Sequence, residues 1–382
     1  MDSLDPEVTG MGWETPLGDS LDDVWTRLLN GESGIREIPY EHPLRSTLAA
    51  VVPTVPLSDA PHERQQALTA SAIRSALADA GLDPDVLGAP GTALLLGTSY
   101  AGNLDDPEGS SLHEWARRTA DEVGHPQPPL CVTTACSAGS DALLMGAELI
   151  RSGRREICVC VGADVVTPAK RLGHSMLGTM SPRALRAFDV QHDGMVLGEG
   201  AGALVLESAE HAWRRSARVR ATLRGAGSAN DAAGMTAPDP GGGSVVLAVE
   251  RALAGSGLAT GDIAAVSAHG TGTPVNDAVE ATSLGALFGP GERRPVVYGT
   301  KGTLGHSLGA CGTIEAITLI QALTDRRVPP VHGLEQPMDG FPLPLPQGAP
   351  GTVTDGCGLS LTLGFGGFNT ALLFSVPGGG HG

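Results

Sequence analysis

The chain has 382 residues and a formal net charge of −17, which argues against nucleic acid and anionic membranes as partners, because both require broad positive surface. No run approaches the roughly eighteen apolar residues of a membrane span, and the first residues form no basic, apolar leader, so we expect a cytoplasmic protein. A hydrophobic content of 41% with only 3% aromatic residues and 54 glycines indicates an α/β protein packed on small aliphatic side chains. A chain this long predicts two domains or one large duplicated domain.

In chain order, the first clear element is a helix over 63–80, where apolar residues share one face and Gly81 follows as a stop signal. Short apolar runs predict strands over 93–97, 157–163, 202–207, 264–269, 296–300 and 371–376. Runs that are apolar on both faces suit a central sheet covered by helices. The basic stretch 213–220 is expected to join two halves, and the proline-rich segment 336–355 to form an extended surface loop.

The six cysteines of the chain lack the spacing of metal ligands, and nothing in their pattern suggests a disulfide framework. Cys158 and Cys160 would share one face of a buried strand. We therefore expect free thiols in a reducing compartment and no metal site.

One of these cysteines, Cys136, lies in the run VTTACSAGSDALL, where a strand is expected to give way to a buried helix. At such a turn the helix dipole and free N–H groups favour a thiolate and can lower a cysteine pKa from about 8.5 into the range of roughly 3.5 to 7.5. Taken alone, the segment fits a packed core cysteine better than a nucleophile, because free cysteine is among the most buried residue types.

Three further segments change that balance. The run AHGTGTP places His269 at a strand end, before a glycine and threonine loop. The run GTKGTLGHSLGACGTIEA places Lys301 and His306 around a glycine turn, with Glu315 in the following helix. The run LTLGFGGFN contains a glycine turn that could offer a backbone N–H to a reacting centre. Each signal is weak alone, and together they suit an acyl-transfer site.

These segments, in this order, resemble a β-ketoacyl synthase (ketosynthase) of the thiolase superfamily, and the resemblance extends through 8–35 and 181–207 to the GFGGFN run. It implies a thiolase-like α/β fold of two similar halves in a layered αβαβα arrangement. The halves are expected at 1–209, carrying the cysteine, and 210–382, carrying the two histidines. The site would then lie between them.

The resemblance also implies roles for single residues. Cys136 would take the acyl chain as a thioester, while His269 and His306 would stabilise the enolate left when a malonyl-type extender loses its carboxylate. Lys301, paired with Glu315, would balance charge and orient His306. Further implied roles are an oxyanion hole formed by the N–H groups of Cys136 and Phe365, gating by Phe365, and hydrogen bonds from Thr271 and Thr273 to a phosphopantetheine arm.

Several positions depart from the family pattern. The segment 98–131 is short where relatives build part of the dimer interface and acyl tunnel, and the start of the chain is a poor version of the first strand. Leu363 stands where a phenylalanine usually flanks the cysteine, and His192 where an arginine is usual. Tyr100 would add a ring at the far end of the acyl pocket and restrict the donor to short chains.

The function expected from the resemblance is decarboxylative Claisen condensation in fatty acid or polyketide biosynthesis, with substrates on an acyl carrier protein and no separate cofactor. The working unit would be a homodimer, or a heterodimer with a second ketosynthase-like subunit. Alternatives are a non-elongating acyltransferase, a non-catalytic chain-length partner subunit, or a degradative thiolase, which would carry a second catalytic cysteine near Phe365. Arginine clusters at 151–155 and 214–218 are candidate docking surfaces for an acidic carrier protein.

Overall fold

The computed structural model describes residues 4–100, 102–106, 111–289 and 294–378. The strands within these ranges are β1 (Glu7–Glu14), β2 (Ile35–Glu37), β3 (Leu48–Ala50), β4 (Thr92–Gly97), β5 (Leu130–Val132), β6 (Ile157–Asp164), β7 (Leu197–Gly198), β8 (Gly200–Glu207), β9 (Ala221–Asn230), β10 (Ile263–Ser267), β11 (Val296–Tyr298), β12 (Arg327–Val328), β13 (Gly351–Thr352), β14 (Cys357–Gly364) and β15 (Phe368–Ser375). The helices are α1 (Leu21–Leu29), α2 (Pro61–Ala80), α3 (Gly102–Asp105), α4 (Leu112–Val123), α5 (Ala138–Arg151), α6 (Pro168–Met176), α7 (Ala209–Arg214), α8 (Gly243–Leu253), α9 (Pro274–Phe288), α10 (Lys301–Leu304) and α11 (Cys311–Asp325).

Ten of the strands form one sheet in the order β11-β10-β14-β15-β9-β1-β8-β6-β4-β5. The sheet divides into two groups of five with the same order, since β5-β4-β6-β8-β1 and β11-β10-β14-β15-β9 each follow a 3-2-4-5-1 pattern in chain order. The groups meet where β1 pairs with β9 over only two residue pairs. The predicted fold class of two similar halves is therefore confirmed, while the boundary after residue 209 stays a prediction and falls on the first residue of α7.

The first strand of each half packs unusually close to a helix. A Cβ on Gly10 of β1 would lie 2.2 Å from the Ala76 carbonyl oxygen of α2, and one on Gly225 of β9 would lie 1.9 Å from the Ala252 carbonyl oxygen of α8. Glycine is required where a helix backbone approaches a strand this closely. β1 is thus a buried strand with one irregularity between Val8 and Gly10, and the glycines that weaken its sequence signal are what admit α2.

The centre of the molecule is a helical layer made of α5 and α11. Both helices contact strands of both halves, and residues 311–323 of α11 are all buried. A helix that is covered on every side needs no polar stripe, which explains its run of small and apolar residues. α2 and α4 cover the first half on its other face, and α8 and α9 pack on the second.

The predicted elements are largely confirmed. The helix over 63–80 is α2, which begins at Pro61 and ends at Gly81 in the left-handed conformation. β10 and β11 end at Ser267 and Tyr298, two residues before the predicted strand ends, so His269 and the residue before Lys301 lie in turns. The segment 213–220 begins inside α7, and its residues 215–220 connect α7 to β9, the first strand of the second half. The segment 336–355 is irregular, with turns and bends, apart from β13. All six cysteines are free, and no helix among the described residues is both long and apolar enough to cross a membrane.

Candidate active site

A cavity of about 310 Å³ opens where strand ends of the two halves meet. Seven of the ten predicted site residues line it: Cys136, His269, Thr271, Thr273, His306, Leu363 and Phe365. Lys301 and Glu315 lie directly behind His269 as a buried pair. Tyr100 is not among the lining residues, and it packs instead against the hydrophobic cluster around α2 and α4. Its predicted role in limiting chain length stays a prediction.

Cys136 lies in a strained turn between β5 and α5. The residue before it, Ala135, has a φ of 50°, a left-handed conformation that costs a non-glycine residue roughly 1–2 kcal/mol. A 3₁₀ turn over Ala135–Ser137 then leads into α5, and the Ser137 hydroxyl donates to the Phe368 carbonyl oxygen at 2.6 Å. Strain held by surrounding contacts is typical of functional positions.

The Cys136 thiol is buried, and burial raises its pKa to about 11, although the Lys301 charge and the Phe365 backbone N–H oppose that rise. The expectation of a thiolate stabilised by the helix terminus was therefore wrong in direction. Desolvation of the anion outweighs the stabilising groups in this dry turn. At neutral pH the group is therefore a thiol rather than a thiolate.

His306 faces the thiol, with its Nε2 3.4 Å from the Cys136 Sγ. The Leu308 backbone N–H donates to the His306 Nδ1 at 3.1 Å, so in the neutral ring the proton sits on Nε2. Burial, followed by the Lys301 charge, holds the pKa of His306 well below its usual value. The ring therefore presents a neutral N–H towards the cysteine.

His269 reaches the same state by different contacts. The Lys301 ammonium lies 3.3 Å from the His269 Nδ1 and donates to the His269 carbonyl oxygen at 2.5 Å. An ammonium can only donate, so the His269 proton sits on Nε2. Burial, then the charge of Lys301, lowers the pKa of His269 well below its usual value. The two rings stand edge to face with centroids 5.2 Å apart.

Buried charges hold His269. Lys301 was predicted to orient His306, but its hydrogen bonds go to His269, whereas the Leu308 N–H holds His306. Lys301 forms a buried ion pair with Glu315. Burial acts to lower the lysine pKa, but the combined effect of Glu315, Cys311 and Glu280 outweighs burial and the pKa is raised. Burial raises the pKa of Glu315 to about 7, against the opposing effect of Lys301. The Glu280 carboxylate accepts the backbone N–H groups of His269 and Gly270 at 2.7 and 2.6 Å, which holds the histidine turn in place.

The ligand atoms of Cys136, His269 and His306 lie within 4.8 Å of one another, a spacing that could hold a metal ion. The donor chemistry does not favour one. Both Nδ1 atoms already accept hydrogen bonds from N–H donors, so both Nε2 atoms carry protons, whereas a metal needs a lone pair there. The same arrangement suits an oxygen atom that gathers negative charge.

Three more of the predicted lining residues, Phe365, Thr271 and Thr273, lie in two turns. Phe365 follows β14 in the hairpin to β15, whose Gly366 and Gly367 have φ values of 83° and 80°. The Thr271 and Thr273 hydroxyl oxygens lie 2.9 Å apart at the start of α9. His192, the departure from the family pattern, contacts the buried carboxylate of Asp277 at 2.9 Å.

Sequence reasoning missed several polar residues of the site region. Cys311 lies 3.2 Å from the His306 Nδ1, and Asp164 accepts the backbone N–H groups of Ser99 and Gly309, both at 2.8 Å, while pairing with Lys170. His174 lines the cavity itself. No motif in the sequence pointed to these residues.

The two predicted arginine clusters lie away from the cavity. Arg151 ends α5, whose fourteen residues span about 21 Å from the Cys136 turn at 1.5 Å per residue. Arg214 and Arg215 pair with Glu156 and Glu207, at the ends of β6 and β8 opposite Asp164. Both clusters are thus at the far end of the sheet, so the geometry does not favour them as docking surfaces.

Comparison with known proteins agrees with this geometry. Residues 7–212 match the family description "Beta-ketoacyl synthase, N-terminal domain" and residues 220–335 match "Beta-ketoacyl synthase, C-terminal domain". The chain belongs to the β-ketoacyl synthase family. It is 32% identical to the 3-oxoacyl-[acyl-carrier-protein] synthase 2 of Synechocystis sp., over 96% of this chain and 97% of that one.

Solved structures point the same way. The ishigamide ketosynthase/chain length factor superposes with a TM-score of 0.87 at 30% identity, covering 98% of this chain and 99% of that chain. A β-ketoacyl synthase from Burkholderia phymatum gives a TM-score of 0.86 at 28% identity, covering 97% and 99%. The chain is therefore an acyltransferase of the 3-oxoacyl synthase type, which performs condensation in fatty acid or polyketide biosynthesis, as the sequence motifs predicted.

Proposed function

We propose that Cys136 carries the acyl group and that His269 and His306 together stabilise the enolate of a malonyl-type extender. The observation that carries this assignment is the pair of neutral imidazoles, each fixed with its Nε2–H towards the cavity beside the thiol. Two preorganised donors in a dry site stabilise a developing oxyanion more than water does.

The reaction would run in two steps. The Cys136 sulfur attacks the carbonyl carbon of an acyl-carrier thioester, a new thioester forms, and the carrier thiol leaves with the proton that the cysteine loses. A malonyl thioester then binds and its bond to the carboxyl carbon breaks, which releases CO₂ and leaves an enolate. Its carbon attacks the Cys136 thioester, and the cysteine leaves and regains a proton.

The backbone N–H groups of Phe365 and Cys136 are assigned to the oxyanion that forms on the acyl carbonyl during both attacks. Support comes from the Phe365 N–H, which already interacts with the sulfur. Phe365 is assigned as the gate of the cavity, and Leu363 as part of its wall, since both line it. Thr271 and Thr273 are assigned to the phosphopantetheine arm on which the substrates arrive; no further cofactor or metal is proposed.

The partner is proposed to be an acyl carrier protein, which the names of the relatives contain, and the setting the cytoplasm, in keeping with six free cysteines. Dimerisation is proposed through β5, the last strand of the ten-stranded sheet, where Leu130 is exposed. An open, apolar strand edge is a template for pairing with another chain. A second copy or a ketosynthase-like subunit could pair there, and native mass spectrometry of the pure chain distinguishes them.

The test is intact-protein mass spectrometry after sequential incubation with acyl and malonyl carrier proteins. We expect a mass increase equal to the acyl group, its loss on adding malonyl carrier protein, and a 3-oxoacyl product on the carrier. Acylation without condensation would indicate a non-elongating acyltransferase. No acylation by any donor would indicate a chain-length partner subunit and contradict the proposal.

A further inference from the structure

A third histidine lies in the cavity and has no part in the two steps above. His174, on α6, lines the cavity together with Cys136 and His306. Its ring lies 5.9 Å from the Phe365 ring, centroid to centroid, with 33° between the planes. It also lies close enough to His306 to lower that group's pKa. His174 is therefore beside both the gate and the reacting atoms.

The hydrogen bonds of His174 give it the opposite polarity to the other two rings. The Thr179 hydroxyl donates to the His174 carbonyl oxygen at 3.2 Å, so the Thr179 oxygen is free to accept from the His174 Nδ1, also at 3.2 Å. With the proton on Nδ1, the Nε2 of the neutral ring carries a lone pair. Burial, then the Lys170 charge, lowers the pKa of His174 to about 4, so the ring is neutral at neutral pH.

The cavity thus holds two imidazoles that donate and one that accepts. A lone pair repels a carboxylate oxygen, so the carboxyl group of an extender gains nothing from His174. The lone pair of the His174 Nε2 attracts a hydroxyl or an amide N–H instead. Leu177 and Phe365 on the same wall are apolar, while Thr179 and Asp193, which also line the cavity, already bond to His174 and to Ser181 and Arg183 respectively. The His174 Nε2 therefore offers a partner to a donor placed there.

We propose that the His174 Nε2 accepts a hydrogen bond from a hydroxyl or N–H group near the thioester of a substrate, so that this enzyme favours hydroxyacyl-type thioesters over unsubstituted ones. The inference rests on the proposed acylation of Cys136. The donor could belong to the acyl group on Cys136 or to the extender, because both must pass Phe365. His174 is then a specificity-determining residue of this chain.

The test compares matched substrates on wild type and His174→Phe, which keeps a ring against Phe365 but has no acceptor. The acyl arm measures Cys136 loading from 3-hydroxybutyryl and butyryl carrier protein, and the extender arm measures condensation with hydroxymalonyl and malonyl carrier protein. Wild type should prefer the hydroxylated member in one arm, and His174→Phe should reduce that preference about five- to tenfold, the contribution of one neutral hydrogen bond. His42→Phe, the same change at an exposed histidine outside the cavity, should leave it unchanged.

A second pair of variants tests the same hydrogen bond without changing residue 174, in case His174→Phe fails to fold. Thr179→Ala removes the group that holds the His174 Nδ1 and should weaken the preference, whereas Thr179→Ser should retain it. Equal hydroxyl preference in wild type, His174→Phe and Thr179→Ala in both arms would overturn the inference. Because butyryl loading is measured in the same experiment, a chain that loads no acyl group at all points to failure of the proposed function instead.

Discussion

The two halves of the molecule use the same backbone turn and place their reactive groups at different points in it. Ala135 before α5 and Leu308 before α11 have φ values of 50° and 52°, and each begins a 3₁₀ turn that runs into the central helix of its half. Cys136 follows the strained residue, whereas His306 precedes it by two positions. The duplicated fold supplies the turn, and the position within it decides which side chain reaches the cavity, with the nucleophile proposed for one half and an oxyanion donor for the other.

The turns after β4 and β10 show a similar difference between the two halves. Tyr100 follows β4 and Gly270 follows β10, with φ values of 49° and 48°. In the second half His269 precedes this position and faces the cavity, while in the first half Tyr100 packs away from it. The second half contributes His269, Lys301 and His306, and the first contributes Cys136 and His174.

The largest effect on activity is expected from removing the Cys136 thiol, which belongs to the first half. Cys136→Ala should abolish acyl loading, because no other group can form the thioester, and intact-protein mass measurement should show no adduct. Cys357 provides the control: it begins β14 at the end away from the cavity, and Cys357→Ala should load like wild type. Full loading of the Cys136 variant would contradict the assignment of the nucleophile.

Removing the His306 imidazole, which belongs to the second half, should separate acyl loading from condensation. His306→Ala should still accept an acyl group but lose roughly a hundredfold to a thousandfold in condensation rate, as removal of one oxyanion donor typically does. Product formation and loading are measured on the same samples. A variant that loses loading and condensation in equal proportion would mean that His306 acts on the thiol rather than on the enolate.

The raised pKa of the Cys136 thiol gives a pH prediction. With that pKa at about 11, the thiolate fraction rises tenfold per pH unit throughout the range from neutral pH to about 10, and alkylation by iodoacetamide should rise with it. Free cysteine, with a pKa of about 8.5, should level off in the same range. Peptide mapping follows Cys136 alone, and a plateau of its rate below pH 9 would contradict the burial argument.

The smallest expected effect is on stability, from substitutions at Ala135 in the strained turn before Cys136. Ala135→Val places a branched side chain at a left-handed position and should lower the free energy of unfolding by roughly 1–2 kcal/mol, whereas Ala135→Gly should change it by less than about 1 kcal/mol, since relief of strain offsets the entropy of glycine. Urea unfolding measures both. Equal stability of the two variants would show that the turn is not strained.

The sequence predicted the strands that are uniformly apolar, the cysteine and both histidines, because these follow from local runs and ordered motifs. It failed at β1 and β9, where glycines such as Gly10 and Gly225 admit a helix and weaken the strand pattern. The thiol pKa and the acceptor role of His174 could not be predicted, since burial and the contact with Thr179 depend on segments that meet only in the folded chain. The position of the arginine clusters relative to the cavity could not be predicted, because sequence does not show at which end of a sheet a residue lies, and their role in docking stays a prediction.

Both lysines of this chain are enclosed: Lys170 pairs with Asp164 and Lys301 with Glu315, and both are buried. The basic side chains on the surface of the folded chain are therefore guanidinium groups, which bind carboxylates and phosphates through paired, directional N–H contacts. Amine-directed reagents, including succinimidyl esters and amine-to-amine cross-linkers, should leave both lysines unmodified in the folded protein. Their sudden labelling during heating or denaturant titration would serve as a built-in reporter that the catalytic core has opened.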